Sequence, residues 1–199
     1  MGVMVTTLLV LSITALIAYP VVRRFHSNGF LTVALVLGSL FVVFTAQAGA
    51  VLGGEIVVES IPWIPQLSLD LLFRLDALSL LFALLITGAG ALILVYCRNY
   101  FEDSEDGLAR FSSVFVGFTV SMLGLVLSDN VFLLFIFWEA TTVFSFLLIG
   151  HSHRQRTARS AALQALIVTT LGGLAMLVGL VILAVNAGSS NLSEIVDSP

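Results

Sequence analysis

The sequence contains no lysine, a single cysteine, four prolines and charged side chains at only 10% of its 199 positions. Each scarcity excludes something. One thiol, Cys97, cannot form an intrachain disulfide and is too little for a metal site. At the end of an apolar run it reads as a small apolar residue. With 59% hydrophobic residues and a mean hydropathy of +1.11, so low a charge content excludes a water-soluble domain and is the composition of an integral membrane protein. All eight basic residues are arginine, a choice that by itself indicates no function. The formal net charge of -4 carries little meaning, because the charges gather in a few short loops. Neither a cofactor, a metal nor a nucleic-acid partner is expected, and nothing points to an enzyme.

What the sequence does contain is six long apolar runs, over residues 3–22, 29–52, 77–97, 111–127, 131–150 and 161–185. At about 1.5 Å of rise per residue, a helix of about twenty residues spans roughly 30 Å, the thickness of a bilayer's hydrocarbon core. The pattern predicts an all-α polytopic membrane protein forming one membrane domain over 1–199. The exception is 55–76, which carries four acids. There, Pro62 and Pro65 flank Trp63-Ile64 and forbid a continuous helix. From Leu67 to Asp76 apolar residues alternate (Leu67, Leu69, Leu71, Phe73, Leu75). That period of two predicts a strand, with Ile56–Val58 as partner across a Pro-Trp-Ile-Pro turn. A short extracellular β-hairpin between the second and third membrane helices is therefore expected.

Arginine sets the expected orientation. The loops after the first, third and fifth runs hold Arg23, Arg24, Arg98, Arg110, Arg154, Arg156 and Arg159, whereas Arg74 is alone on the opposite side. The positive-inside rule makes the arginine-bearing loops cytoplasmic and puts both termini and the hairpin outside. Arg23 and Arg24 follow the first run instead of preceding it, which is not the charge order of a cleaved signal peptide. Short matches to myristoylation (Met1-Gly2 with Thr6) and glycosylation (Asn191-Leu192-Ser193) patterns are too common by chance to carry weight. Small residues recur every four positions at Ser113, Gly117 and Ser121, at Gly124 and Ser128, at Ala83, Thr87 and Ala91, and at Ala175 and Gly179. This spacing lets helix backbones approach closely, as in any polytopic protein.

Within the six runs a single side chain carries charge at mid-depth. Glu139 lies in VFLLFIFWEATTVFSFLLIG, nine residues in from one end. An ionised side chain at the bilayer centre costs about 2.5–3.5 kcal/mol on insertion scales, so a carboxylate there is functional by default. Apolar surroundings favour a neutral acid and an approaching cation favours the carboxylate. A group held between the two can load and release a proton as its partner moves. The bland alternative is an acid that is permanently protonated or bonded and only fixes helix packing. Thr142, one turn on, is a candidate hydrogen-bond donor to Glu139, and Gln164, Thr169 and Thr170 in the sixth run are candidates for a polar chain. His151 and His153, with Arg154, Arg156 and Arg159, are candidates for a cytoplasmic proton entrance, although a topological anchor explains them equally well. Asp129 reads as the N-cap of the fifth helix, or as a residue at a water-filled mouth. Asp76 reads as the cap of the third.

Two blocks carry a family resemblance. The stretch IPWIPQLSLDLLFRLDALSLLFALLITGAGALILVY resembles the third-helix region of the A-type (MrpA/MnhA) chain of Mrp-type multisubunit cation/proton antiporters, and GLVLSDNVFLLFIFWEATTVFSFLLIGH resembles its fourth and fifth helices. The sixth run fits as well. The family is related to the antiporter-like, proton-pumping subunits of complex I and of membrane-bound hydrogenases. The resemblance implies that Glu139 is a proton-relay residue, paired with a lysine on a seventh helix that this sequence does not include. Where the family often has W-E-L-T-S, this sequence has Trp138-Glu139-Ala140-Thr141-Thr142. The resemblance also implies the N-terminal part of a larger antiporter-like fold, either a fragment or one half of a split subunit. Its partners would be the remainder of its own subunit, the other antiporter subunits and membrane lipid, with Na⁺ and H⁺ as transported ions at the plasma membrane. The alternatives are a proton-pumping subunit of a redox complex, and a non-transporting membrane scaffold.

Overall fold

Long runs of Leu, Val, Ile and Phe can satisfy their backbone groups inside a bilayer only by forming helices, or a closed barrel for which these runs have the wrong period. The computed structural model describes residues 2–64, 69–100, 107–150 and 156–197. Its long helices are α1 (Val3–Phe25), α2 (Ser27–Leu52), α3 (Ala77–Tyr100), α4 (Leu108–Leu127), α5 (Val131–Ile149) and α6 (Arg156–Ala187). Strands β1 (Val57–Ile64) and β2 (Leu69–Leu75) pair antiparallel between α2 and α3, and a short helix α7 (Leu192–Asp197) follows α6. All six long helices are long and apolar enough to cross a bilayer. The chain is a multi-pass membrane protein with the helical architecture and the hairpin its sequence predicts.

The first four helices close on one another: α1 packs on α2 and α4, and α3 packs on α2 and α4. The buried core lies among them, with Met4, Leu11, Phe30, Leu37, Phe44, Ala83, Leu94, Val116 and Leu123 almost fully enclosed. Cys97 belongs to this core as a buried free thiol. Close approach is made where side chains are small. The α1–α2 corner turns at His26 (φ 51°), and a Cβ on Gly29 would lie 2.7 Å from the Val22 Cα. Ser113 donates its hydroxyl across to the Ala15 carbonyl, and Ala83 and Thr87 are fully buried. By contrast Gly179 meets no neighbour within 4 Å and Ala175 is exposed, so among the described residues the Ala175–Gly179 pair makes no helix seam.

The fifth and sixth helices stand outside this group. α5 lies against α4, and α6 lies principally against α5. In the apolar windows of α1–α4 33–44% of residues are buried, against 11% in α5 and 6% in α6. Most of the α6 surface therefore faces lipid or other protein.

The hairpin covers one end of the bundle. Phe73 and Leu75 of β2 point into the core, and the Phe73 ring packs at 6.4 Å on Phe137 of α5. β1 departs from expectation. Pro62 and Trp63 do not form the turn; both lie within the strand, with Pro62 opposite Asp70 and an irregularity between Pro62 and Ile64. A two-stranded sheet leaves each strand one free edge, where the N–H that proline lacks is not needed. The connecting residues 65–68 lie outside the described residues. Glu59 of β1 reaches across to α1, where its two carboxylate oxygens accept from the Met4 and Val5 N–H groups at 3.0 Å each. These are two of the donors a helix N-terminus leaves unsatisfied. The start of α1 and the hairpin are thereby fixed at the same end.

Candidate functional site

Helix α5 begins at an asparagine, not an aspartate. Asn130 is extended (φ -114°, ψ 133°), and its Oδ1 accepts from the Phe132 N–H at 3.0 Å and the Leu133 N–H at 3.3 Å. This corrects the expectation that Asp129 caps the helix. Residues 128–130 form an extended segment that bridges Phe73 on one side and Asn191 on the other, which delays the helix by one residue. Asp129 is buried and caps α7 instead: Oδ1 accepts from the Ser193 N–H at 2.9 Å and Oδ2 from the Ser193 hydroxyl at 2.6 Å. The Leu192 N–H adds a bond to the Asp129 carbonyl at 2.7 Å, and the Val131 N–H one to the Ser190 carbonyl at 2.9 Å. The hairpin, the α4–α5 turn and the chain after α6 thus form one bonded layer at the hairpin end.

The rotation of α5 is set by two phenylalanines. Phe137 sits over Gly124 of α4 and Phe144 over Gly117, so closely that a Cβ at either glycine would strike the ring. The spacing is seven residues on both helices, about two helical turns, which puts both contacts on one face. At 100° per residue, Glu139 lies roughly 160° from Phe137 and so points away from α4. It is directed toward α6. Glu139 Oε1 rests against Gly173, where a Cβ would overlap the oxygen and lie 3.3 Å from Trp138 Nε1. Oε1 is shielded from solvent and has no hydrogen-bond partner among the described residues. Gly173 is the fourteenth residue of the 28 in the apolar part of α6, and Glu139 the ninth of 19 in α5. Both sit near the middle of their helices.

The other candidates are distributed differently. Thr142 is buried one turn beyond Glu139 but makes no hydrogen bond to Oε1. Thr169 donates back to the Ala165 carbonyl of its own helix at 2.7 Å. Thr170 precedes Gly173 by three residues, on the same face of α6. Gln164 is exposed and nine residues from Gly173, roughly 14 Å along the helix. His151 and His153 lie outside the described residues. Among the described residues no three His, Cys, Asp or Glu side chains group as metal ligands.

Asp76 caps α3, as its position in the sequence indicates. Its Oδ1 accepts from Leu78 N–H, Ser79 N–H and the Ser79 hydroxyl at 3.1, 2.9 and 3.0 Å, and Arg74 Nε stands 3.5 Å from Oδ2. Partial burial alone would push this carboxyl up, but the bonds from Ser79, the Arg74 charge and the Leu78 N–H together hold it below the usual aspartate value. Glu59 and Gly173 were not legible as partners of α1 and Glu139. Each meets its partner through the tertiary fold, which the local sequence does not show.

The chain matches two family patterns: residues 128–198 match the transmembrane pattern of the NADH:quinone oxidoreductase/Mrp antiporter family, and residues 62–112 match the N-terminus of chain 5 of NADH-ubiquinone oxidoreductase (complex I). Among curated proteins, it is 41% identical over 152 residues to a candidate antiporter subunit, mnhA2, of Staphylococcus haemolyticus, covering 76% of this chain and 19% of that protein. Its counterpart in Staphylococcus aureus is 40% identical over 163 residues, covering 82% and 20%. The chain spans about a fifth of the length of these relatives. Among solved structures, a chain of the Mrp complex from Dietzia sp. DQ12-45-1b superposes on all of this chain and 21% of its own length, with a TM-score of 0.90 and 31% identity. A chain of the membrane-bound sulfane sulfur reductase, an archaeal respiratory membrane complex, shares the fold at a TM-score of 0.77 and 19% identity, over 94% of this chain and 28% of its own.

Proposed function

This chain belongs to the A-type (MrpA/MnhA) family of Mrp antiporter subunits, of which it matches the N-terminal part, and we propose that it works as the proton-relaying portion of a multisubunit Na⁺/H⁺ antiporter. It is a transporter component and not an enzyme. The observation that carries this reading is Glu139: a carboxylate near mid-depth whose Oε1 is enclosed and without a hydrogen-bond partner among the described residues. A buried acceptor left unpaired costs about 1–3 kcal/mol, and more when charged. Glu139 therefore either holds a proton or meets a cation that these six helices do not supply. Alternation between those two conditions is proton relay. Glu139 forms no ion pair among the described residues, so the cation comes from the rest of the subunit or from a neighbouring one. Transport then requires the complete assembly at the plasma membrane, with other antiporter subunits as partners.

The orientation follows from charge. The N-terminus, the hairpin, the α4–α5 turn and the segment after α6 share one end through the bonds of Glu59 and Asp129. The arginines of the odd-numbered connections lie on the cytoplasmic side, and the joined end is external.

The test is Glu139→Gln in the assembled antiporter, with Na⁺-driven proton movement read in everted membrane vesicles. Gln keeps the size and cannot titrate; we expect antiport to be lost while the complex still assembles. Wild-type antiport in this variant would falsify the relay. A second reading, a proton-pumping subunit of a redox complex, is favoured by the match of residues 62–112 to the complex I chain 5 pattern. Purification separates the two, since only a redox complex brings down quinone- or iron–sulfur-binding subunits.

A further inference from the structure

We infer that Gly173 of α6 is the positioning residue of the relay: its missing side chain is the slot in which the Glu139 carboxylate rests. The inference rests on the reading of Glu139 as a proton carrier. Three observations lead to it. A Cβ at Gly173 would overlap Glu139 Oε1, so the carboxylate lies directly on the α6 backbone. The two residues stand near the middle of helices that pack on each other. At the adjoining Gly172 a Cβ would meet nothing within 4 Å, so the requirement for glycine belongs to one position and not to the pair.

The chemistry of the slot follows from what it lacks. Inside a helix the N–H of Gly173 is committed to the carbonyl four residues earlier, so the α6 backbone offers the oxygen a surface and no donor. Oε1 accordingly has no hydrogen-bond partner among the described residues. The slot holds Glu139 by shape alone. A bonded donor there would pin the carboxylate in place; with Oε1 unbonded, it can follow a group that comes and goes. The Trp138 indole Nε1 borders the same space, but Oε1 accepts no bond from it. A methyl group at position 173 would displace the carboxylate from this pose and alter its access to its partner.

The experiment is a double-variant set in the complete antiporter, with assembly followed by native electrophoresis and antiport followed in everted vesicles across pH. Gly173→Ala is expected to lower antiport severalfold and to move its pH profile, whereas Gly172→Ala leaves both at the wild-type level. Glu139→Asp withdraws the carboxylate by one methylene, so Gly173→Ala combined with Glu139→Asp is expected to be more active than the product of the two single effects predicts. Strictly independent effects, or a Gly173→Ala variant with unchanged rate and pH profile, overturn the slot. If Gly173→Ala prevents assembly, adding Glu139→Ala restores it when the obstruction is the carboxylate; failure to restore overturns the slot equally. Glu139→Gln alone separates the layers: if it is inactive while Gly173→Ala is normal, the relay stands and the slot fails, and if it is active the relay itself fails.

Discussion

Asp129 spends both carboxylate oxygens on Ser193, a residue 64 positions further along the chain. The pair joins the α4–α5 turn to the segment that follows α6, and it lies within the same bonded layer as the hairpin. Asp129→Ala leaves the Ser193 N–H without its cap and loses a charge-assisted contact, at a cost of about 1–3 kcal/mol. Residues 188–197 are expected to become sensitive to protease added from the hairpin side, while the spans remain protected. A tail as resistant as in the wild type would show that the pair holds nothing.

The cap of α3 predicts a pH dependence. The Asp76 carboxyl lies below its ordinary value of 3.8 in the folded protein, so the unfolded chain binds its proton first as pH falls. Its stabilisation is fully present above that ordinary value and disappears as pH drops through the lower, folded value. The stability gap between the wild type and Asp76→Asn should be constant from about pH 7 to pH 5 and close below about pH 4. Thermal denaturation of the purified complex over that range would measure it, and a gap that widens in acid would contradict the assignment.

Packing across α4 and α5 gives a mechanical prediction. Gly124→Ala puts a methyl where the Phe137 ring now lies, and overpacking of this kind costs about 1–3 kcal/mol. Because Phe137 and Phe144 fix the rotation of α5, the substitution should turn Glu139 away from Gly173. We expect a lower melting temperature and reduced antiport together. Lower stability with full antiport would mean that the rotation of α5 does not matter to the relay.

Topology can be read by labelling. In a background with Cys97 replaced by alanine, a cysteine at the exposed position Trp63 should react with a membrane-impermeant maleimide in intact cells, and one at the exposed position Arg24 only in everted vesicles. The opposite result reverses the orientation.

Two kinds of information shape this fold, and only one of them is local. Hydropathy and alternation are local, and they made the six helices, the hairpin and the lone acid within the fifth apolar run legible. Contacts between distant elements are not. Nothing near Asp129 in the sequence distinguishes it from Asn130 as a cap, because the choice is made by β2 and by residues 190–193 pairing with the turn. Pro62 signals a turn by type, yet it sits in a strand whose outer edge asks for no donor. In the sequence Glu59 is one of four acids between the second and third apolar runs, and only the fold sets it over the first turn of α1. The direction in which Glu139 faces was likewise hidden, since it depends on two α4 glycines receiving two α5 phenylalanines.

The arrangement of the helices also has a bearing on how the protein is made. The mutual contacts among α1–α4 use no residue beyond Leu127, the end of α4. Membrane segments emerge in order, and early units fold first. The first four helices therefore form a wall whose packing does not depend on the helix that carries the costly carboxylate. When α5 follows, Gly117 and Gly124 are already in place to receive its phenylalanines, and α6 arrives next to shelter the acid. The glutamate thus enters lipid beside a finished surface, with its cover only one helix behind.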